Sequence, residues 1–178
     1  IVEAVPDGGY SVRFWDLAAS EKKMAKDDPD FTAGVKMKRL GNTYYILDCF
    51  EEQVDPAKTD TAILNLASQD GKLVSIRWEE EGGASGKRDS RNIATMLDTY
   101  DARGIKPQGD KLVRARGLSS QALAGNVKLL RASWNERWLT HMHGQPDSAH
   151  DDIMDASSGA YNELAQGTIE QVENPFFQ

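Results

Sequence analysis

Acidic residues stand at the ends of predicted secondary-structure elements at three separate places in this chain. Asp16 closes the apolar segment SVRFWD, Glu79–Glu81 follow LVSIRW, and Asp151, Asp152 and Asp155 lie in HDDIMDA. Carboxylates that a fold brings together repel one another, so such a fold needs compensating positive charge. Hard divalent cations, which take oxygen ligands, are the usual source of that charge. The pattern predicts one metal site assembled from three distant parts of the chain.

The size and composition are those of a single soluble globular domain. The chain has 178 residues, of which 39% are hydrophobic and 28% charged. No apolar run approaches the roughly 20 residues that span a bilayer, and no signal-peptide pattern is present. The single Cys49 cannot form an internal disulfide, which fits a reducing compartment, and its strand-like context YILDCF indicates a buried structural thiol. For the four tryptophans we expect core packing rather than base stacking.

The net charge of −7 argues mildly against a protein that coats DNA, because phosphate binding favours an excess of Lys and Arg. The objection weakens if several carboxylates bind cations, which reverse the local charge. The chain begins without Met, in IVEAVPDGGY, and we expect it to be a fragment of a larger protein. Residues 1–10 are predicted to be a linker remnant, 11–166 the folded domain and 167–178 a loosely held tail.

The sequence pattern of the first half of the chain predicts four strands and one helix. Apolar and aromatic runs predict strands at 11–17, 31–39, 43–50 and 72–78, with the hairpin signal LGN between the second and third. Asp55 followed by Pro56 predicts a helix start that continues to about Gln69, where Asp-Gly ends it.

The second half predicts helices alternating with short strands. GGASGKRDS is expected to be a glycine-rich loop, followed by a helix at 91–100, a fifth strand at 111–116, a short helix capped by Ser119, a strand at 127–130, and helices at 134–143 and 151–165. This order suits an α/β fold with three antiparallel strands, then parallel strands, flanked by helices. In that arrangement the first and fourth strands end side by side, which brings Asp16 near Glu79, with Asp152 or Asp155 reaching them from the last helix.

Each acidic group also has an ordinary structural explanation. Asp16 can cap a turn through its own side chain, and the Glu run can be a solvated loop. Strand alternation sends Glu79 and Glu81 to one side and Glu80 to the other, so we prefer Glu79 as the ligand, with Glu81 in reserve.

The third acidic group is the strongest signal. Asp152 and Asp155, at i and i+3, share a helix face, as do Asp151 and Asp155 at i and i+4. N-capping and the helix dipole explain one or two of these carboxylates but not a third one turn later. Asp152 is therefore the first choice, supported by Asp155 and Asp151. His141, His143 and His150 are too few for a zinc site, and the oxygen-rich set favours Mg²⁺ or Mn²⁺.

Two groups of basic residues are placed to contact phosphates without reading base sequence. The first is in the glycine-rich segment and the second alternates along the predicted fifth strand. Their members are Lys87, Arg88 and Arg91, and then Lys111, Arg114 and Arg116. A solvated surface is the alternative for both groups. The glycine-rich segment lacks the spacing of a nucleotide-binding loop, which argues against an ATPase.

Six segments in fixed order resemble the C-terminal nuclease domain of a large terminase subunit, the DNA-packaging motor of tailed bacteriophages. They are RFWDLAAS, DPDFTAGVKM, NTYYILD, WEEEGGASGKRDS, GDKLVRARGLSSQALAGNV and AHDDIMDASSGAYNEL, spread over about residues 11–165. The resemblance implies a ribonuclease H-like fold, related to Holliday-junction resolvases. By position, Asp16, one of Glu79–Glu81, and Asp151, Asp152 and Asp155 match the family's acidic motifs. The second motif departs from the common E-Q-x-P-G form, having Glu80 for Gln and Gly82 for Pro, which leaves the binding glutamate open.

The resemblance also implies an activity. Asp16, Glu79 and Asp152 would be catalytic in an endonuclease that uses two Mg²⁺ or Mn²⁺ ions, one activating water and the other stabilising the leaving 3′-oxygen. It would cut concatemeric double-stranded DNA with little sequence specificity when packaging starts and ends, in the host cell cytoplasm. Implied partners are DNA and, in the full-length protein, the portal and the small terminase subunit, with no membrane. Open alternatives are a junction resolvase or transposase core, or a non-catalytic portal-docking module.

Overall fold

A computed structural model describes residues 1–18, 31–53, 56–144 and 150–172. Over these ranges it contains one six-stranded sheet and five helices. In chain order they are β1 Tyr10–Asp16, β2 Thr32–Leu40, β3 Thr43–Glu52, α1 Pro56–Asp70, β4 Val74–Glu79, α2 Gly83–Met96, β5 Ala102–Ile105, α3 Lys111–Leu123, β6 Val127–Leu129, α4 Asn135–Gly144 and α5 Asp152–Val172.

The sheet is mixed, as the sequence predicts. Its strand order is β5-β4-β1-β2-β3-β6. β1, β2 and β3 are antiparallel, and the turn between β2 and β3 uses the left-handed conformation of Gly41, at φ 59°. β4 runs parallel to β1, with Trp15 opposite Trp78, and β5 and β6 extend the two edges in parallel. The carboxyl ends of β1 and β4 therefore lie side by side.

Alternating side chains of the strands build a separate core on each face of the sheet. One face packs on α5 and the other on α1 and α2. Residues of the first core include Val12, Phe14, Val35, Met37, Ile153, Ala156, Ala160 and Trp138, and those of the second include Trp15, Ile76, Trp78, Ile63, Ala67 and Leu97. Core packing is thus confirmed for Trp15, Trp78 and Trp138, and Trp134 packs partly buried against the first core. Cys49 is buried as predicted, and burial raises the pKa of its thiol to about 12.

Small residues let α5 approach the sheet closely. Gly159 lies directly over Phe14 of β1, so that a β-carbon at this position would overlap the phenyl ring. Ala156, Ser157 and Ser158 are also buried in this contact. The close packing expected from this run of small residues is confirmed, and it sets the first turn of α5 against the end of β1.

The prediction of a fifth strand at 111–116 is wrong, because Lys111, Arg114 and Arg116 lie in the first two turns of α3. The backbone N–H of Leu112 donates to the Asp110 carboxylate at 2.9 Å, which caps the helix. Ala115 and Leu118, three residues apart, supply its buried side. The alternation of basic and apolar residues at 111–116 therefore belongs to a helix and not to a strand. Ser119 lies inside α3 and does not cap a new helix.

The predicted glycine-rich loop is also wrong, since α2 already begins at Gly83 and the segment forms its first turns. Gly86 packs so closely on the backbone of Glu81 that any side chain there would clash. Ser90 is buried in the same helix. The glycines thus serve close packing rather than loop flexibility. The sequence prediction also missed β5, a four-residue strand on the sheet edge beside β4.

The amino-terminal residues contact the far edge of the sheet. The Val2 N–H donates to the Leu129 carbonyl at 2.8 Å, and the Arg131 N–H donates to the Val2 carbonyl at 2.9 Å. The proposed boundaries at 10 and 167 stay predictions, and the expected helix cap at Asp55 lies outside the described residues. None of the described helices is both long enough and apolar enough to cross a bilayer.

A buried ion-pair network ties β1 to the end of α1. The Arg13 guanidinium, almost fully buried, donates to Asp70 at 2.5 Å and to Asp48 at 2.8 Å. Lys36 also pairs with Asp70, at 2.9 Å. Burial works against ionisation of Asp70, but the hydrogen bonds and charges of Arg13 and Lys36 outweigh it and hold the pKa of this carboxyl below its usual value.

We expect Asp70→Asn to lower the free energy of unfolding at neutral pH by about 3 kcal/mol, because the buried Arg13 guanidinium then keeps only the more exposed Asp48 as a charged partner. Since the pKa of Asp70 is lowered in the folded state, its contribution is complete above about pH 4 and disappears as the pH falls through the folded value. Urea unfolding at several pH values measures both effects. Glu3→Gln, in the exposed pair with Arg131, is the matched control and should change stability little. An Asp70→Asn protein as stable as the wild type would contradict this role of the network.

Candidate metal centre

Four carboxylates from three elements converge where β1 and β4 end. Asp16 is the last residue of β1 and Glu79 the last residue of β4, so the parallel register places them on adjacent strands. Asp152 and Asp155 occupy the first turn of α5, both buried. The predicted juxtaposition of the three acidic groups is present in the structure.

The electrostatics show how closely these groups lie. The pKa of Asp16 is raised to about 8, first by burial and then by the negative charges of Asp155, Glu79 and Asp152, in that order. Burial also raises the pKa of Glu79, which Arg114 opposes and Asp155 reinforces. A carboxylate that resists ionisation in this way marks a place where an added cation is favourable.

Two basic residues of α3 point into the carboxylate cluster. The Lys111 Nζ lies 2.6 Å from Asp155 Oδ2 and 2.9 Å from Asp151 Oδ2. Arg114 Nη2 lies 3.2 Å from Glu79 Oε2 and 3.5 Å from Asp155 Oδ1. Partial burial disfavours the ammonium of Lys111, but its hydrogen bonds to Asp155 and Asp151 raise its pKa overall. Sequence reasoning placed both residues with DNA phosphates, whereas the structure pairs them with the acidic residues.

The donor chemistry of the cluster fits a hard divalent cation. All four side chains offer carboxylate oxygens, which Mg²⁺ and Mn²⁺ prefer. Asp155 Oδ1 is buried and accepts no hydrogen bond, which leaves an oxygen available to a ligand. Among the residues that the structure describes, no three His, Cys, Asp or Glu side chains are already arranged around one point to hold a metal ion. Instead, Lys111 and Arg114 lie among the carboxylates.

The structure places the three glutamates at the end of β4 in different surroundings. Glu79 faces Asp155 and Arg114, whereas Glu81 is exposed at the rim. Glu80 is held elsewhere, by a 3.1 Å hydrogen bond from the Ser90 hydroxyl, which itself accepts from the Trp78 indole at 2.9 Å. This favours Glu79 over Glu81 as the ligand from this segment.

The other predicted site residues surround the cluster at different depths. Asp151 is partly exposed at its mouth. Lys87, Arg88 and Arg91 are exposed on α2, which begins four residues after Glu79, and Arg116 is exposed on α3. His150 packs edge-on against the Phe31 ring, with its Nδ1 3.9 Å from Asp152.

An open groove leads away from the cluster. Its lining includes Glu79, Asp155 and Arg114 of the cluster, and also Lys106, Gln108, Asn162 and Gln166. It encloses about 610 Å³, open solvent included. The groove connects the carboxylates with the protein surface, so that an extended ligand can reach them.

Sequence reasoning missed two properties of the site. It gave Asp155 only a supporting role, whereas Asp155 raises the pKa of Asp16 more than Asp152 does and contacts both basic residues; the choice of Asp152 as first ligand stays a prediction. It also missed that Lys111 and Arg114 belong to the cluster. The available signal was Asp110, a good N-cap residue, followed by apolar residues at helical spacing.

A mixed sheet with carboxylates at the ends of its first and fourth strands and on its last helix defines the ribonuclease H-like class. Within that class the match is specific, because the profile of the terminase RNase H-like domain family covers residues 13–164. The chain belongs to this family, which confirms the resemblance seen in the sequence.

Solved structures support the fold. The large terminase nuclease domain of P22 superposes with a TM-score of 0.66 at 12% identity, covering 96% of this chain and 90% of that one. The human cytomegalovirus terminase nuclease domain, soaked in Mn and bound to an inhibitor, gives 0.63 at 13% identity, covering 88% and 83%. Fowlpox virus resolvase, in complex with Holliday junction DNA, gives 0.53 at 8% identity, covering 88% and 97%. No curated protein sequence matches the chain.

We expect Asp16→Asn to stabilise the metal-free domain by about 1 kcal/mol or more, because it removes a charge that the cluster disfavours. Since the folded pKa of Asp16 is raised to about 8, the wild type loses stability as the pH rises from about 4 toward 8, and the advantage of the variant grows over that window. Urea unfolding in EDTA at both ends of the window measures this. Asp98→Asn, at an exposed carboxylate, is the control. A variant that is less stable than the wild type at the alkaline end would disprove the repulsion.

Proposed function

We propose that this domain is a divalent-metal-dependent endonuclease that cuts double-stranded DNA with little sequence specificity during viral genome packaging. The observation that carries the proposal is the convergence of Asp16, Glu79, Asp152 and Asp155 in a family of terminase RNase H-like domains. Grouped buried carboxylates are costly for stability, and cation binding is the function that explains retaining them.

In this proposal Asp16, Glu79, Asp152 and Asp155 bind Mg²⁺ or Mn²⁺, with two ions per site, and Glu81 and Asp151 assist from the rim. Ions bound there would activate a water molecule for attack on phosphorus and stabilise the leaving oxygen. The protein contributes fixed ligand positions. Asp16 and Glu79 end hydrogen-bonded strands, and the contact of Gly159 with Phe14 fixes α5 against them.

The resemblance to P22 and cytomegalovirus terminase nuclease domains supports this reaction, and the cytomegalovirus structure was soaked in Mn. Its setting in this protein is also part of the proposal. We propose concatemeric DNA as the substrate, the portal and the small terminase subunit as partners of the full-length protein, and the host cell cytoplasm as the location.

A junction resolvase is the second candidate, favoured by the structural likeness to the fowlpox virus enzyme. The two candidates differ in substrate. A packaging nuclease cuts linear and supercoiled duplexes, whereas a resolvase requires a four-way junction. Rates on the three substrates, measured with the same protein and metal, separate them. If the domain is only a portal-docking module, it should neither bind Mn²⁺ nor cut any of them.

We expect Asp16→Ala and Asp152→Ala to reduce Mn²⁺-dependent plasmid cleavage by at least about 100-fold, because each removes a direct ligand of the ions. Gel assays with purified protein measure the rate, and circular dichroism verifies the fold. Asp98→Ala, at an exposed carboxylate away from the cluster, should cut like the wild type. Full activity in either cluster variant would refute the assignment.

We also expect Lys87→Gln, Arg88→Gln and Arg91→Gln to weaken duplex binding regardless of sequence, because these basic side chains are exposed on α2, the helix that follows Glu79 in the chain. Each lost phosphate contact should reduce the slope of log affinity against log salt concentration by about 1. Fluorescence anisotropy in Ca²⁺ or EDTA measures this without cleavage. Arg131→Gln, beyond β6 at the opposite sheet edge, is the control. An unchanged slope would remove α2 from the DNA-binding surface.

A further inference from the structure

We propose that Lys111 is an internal counter-ion of the metal-free site, and that divalent cations must displace its ammonium from Asp155 and Asp151 in order to bind. The inference rests on the proposed function, since it concerns the same carboxylates. It assigns Lys111 a role in setting metal affinity that is separate from any contact with DNA.

The contacts of Lys111 place its charge at the point where a metal would bind. Its Nζ bridges two carboxylates of α5, at 2.6 Å from Asp155 and 2.9 Å from Asp151. The side chain of Asp155 is only 3% exposed, so its charge is compensated from within the protein. The ammonium also counteracts the repulsion on Asp16, where it lowers the pKa.

A lysine ammonium and a divalent cation held by the same carboxylate repel each other, because both are positive and lie close together. Lys111 has a flexible stem, and half of its side chain is exposed, so its ammonium has a path into solvent once a cation replaces its charge at Asp155. Arg114 differs, because its side chain is only 16% exposed and also pairs with Glu79. We therefore assign the exchange to Lys111 and a fixed position to Arg114.

The exchange gives Lys111 two successive environments. In the metal-free domain it offsets the grouped negative charges and stabilises the first turn of α5 against α3. After metal binding the ammonium lies at the mouth of the site, where it can approach a phosphate of the substrate. This accommodates the contact with DNA that the sequence suggested for Lys111.

Calorimetric titration with MnCl₂ tests the exchange without measuring activity. Lys111→Met should bind Mn²⁺ about fivefold more tightly than the wild type, which is the contribution of roughly one strong surface ion pair. Lys106→Met, in the same groove, is the matched control for loss of a nearby positive charge and should change affinity less. Lys111→Gln serves as a second variant should the methionine protein fold poorly. Urea unfolding in EDTA should show that the Lys111 variants are less stable than the wild type, and that Mn²⁺ restores stability.

The outcomes distinguish this inference from the proposed function. If the wild type binds Mn²⁺ and the Lys111 variants bind it equally or more weakly, the counter-ion role is overturned while the metal site stands. If neither the wild type nor any variant binds Mn²⁺, the proposed metal site fails and the exchange with it. Tighter binding by the Lys111 variants than by Lys106→Met supports the exchange.

Discussion

The repulsion among Asp16, Glu79, Asp152 and Asp155 is the interaction on which the rest of this structure depends. Three elements far apart in the chain bring these side chains together, and burial makes the charges of Asp16 and Glu79 harder to maintain. A fourth element, α3, supplies compensating positive charge, because its Lys111 and Arg114 side chains form ion pairs with the cluster. α3 thus neutralises part of the negative charge that β1, β4 and α5 bring together.

The strands and helices that hold this cluster are stabilised by interactions that lie outside the cluster. Arg13, in the same strand as Asp16, joins β1 to α1 through Asp70 and to β3 through Asp48. On the other face Gly159 brings α5 into contact with Phe14. β1 is therefore held from both sides of the sheet, and the strand that ends in Asp16 is well fixed. A site that disfavours its own charges needs such independent support.

The sequence predicted the fold well where a local sequence pattern determines the local structure, and poorly where contacts between distant residues determine it. The strands β1, β2, β3 and β4 were predicted to within two or three residues, because apolar runs and turn signals agree there. The first two turns of α2 were missed because glycines usually indicate a loop, whereas Gly86 is required by contact with Glu81, a tertiary reason invisible in the sequence. At α3 the alternation of Lys111, Arg114 and Arg116 imitated a strand, although the Asp110 cap indicated a helix. The acidic residues were found from their positions at element ends, but their pairing with α3 could not be, since it depends on that misassigned helix.

The single thiol of Cys49 can report the transient local opening of this protein's core. The side chain sits in β3 inside the core shared with α5, and burial shifts its ionisation far above physiological pH. The thiolate is the form that attacks alkylating reagents, so this buried sulfur can react only when the strand transiently opens. With one cysteine in the chain, the labelling rate reads out the opening of the central sheet directly, with no engineered probe.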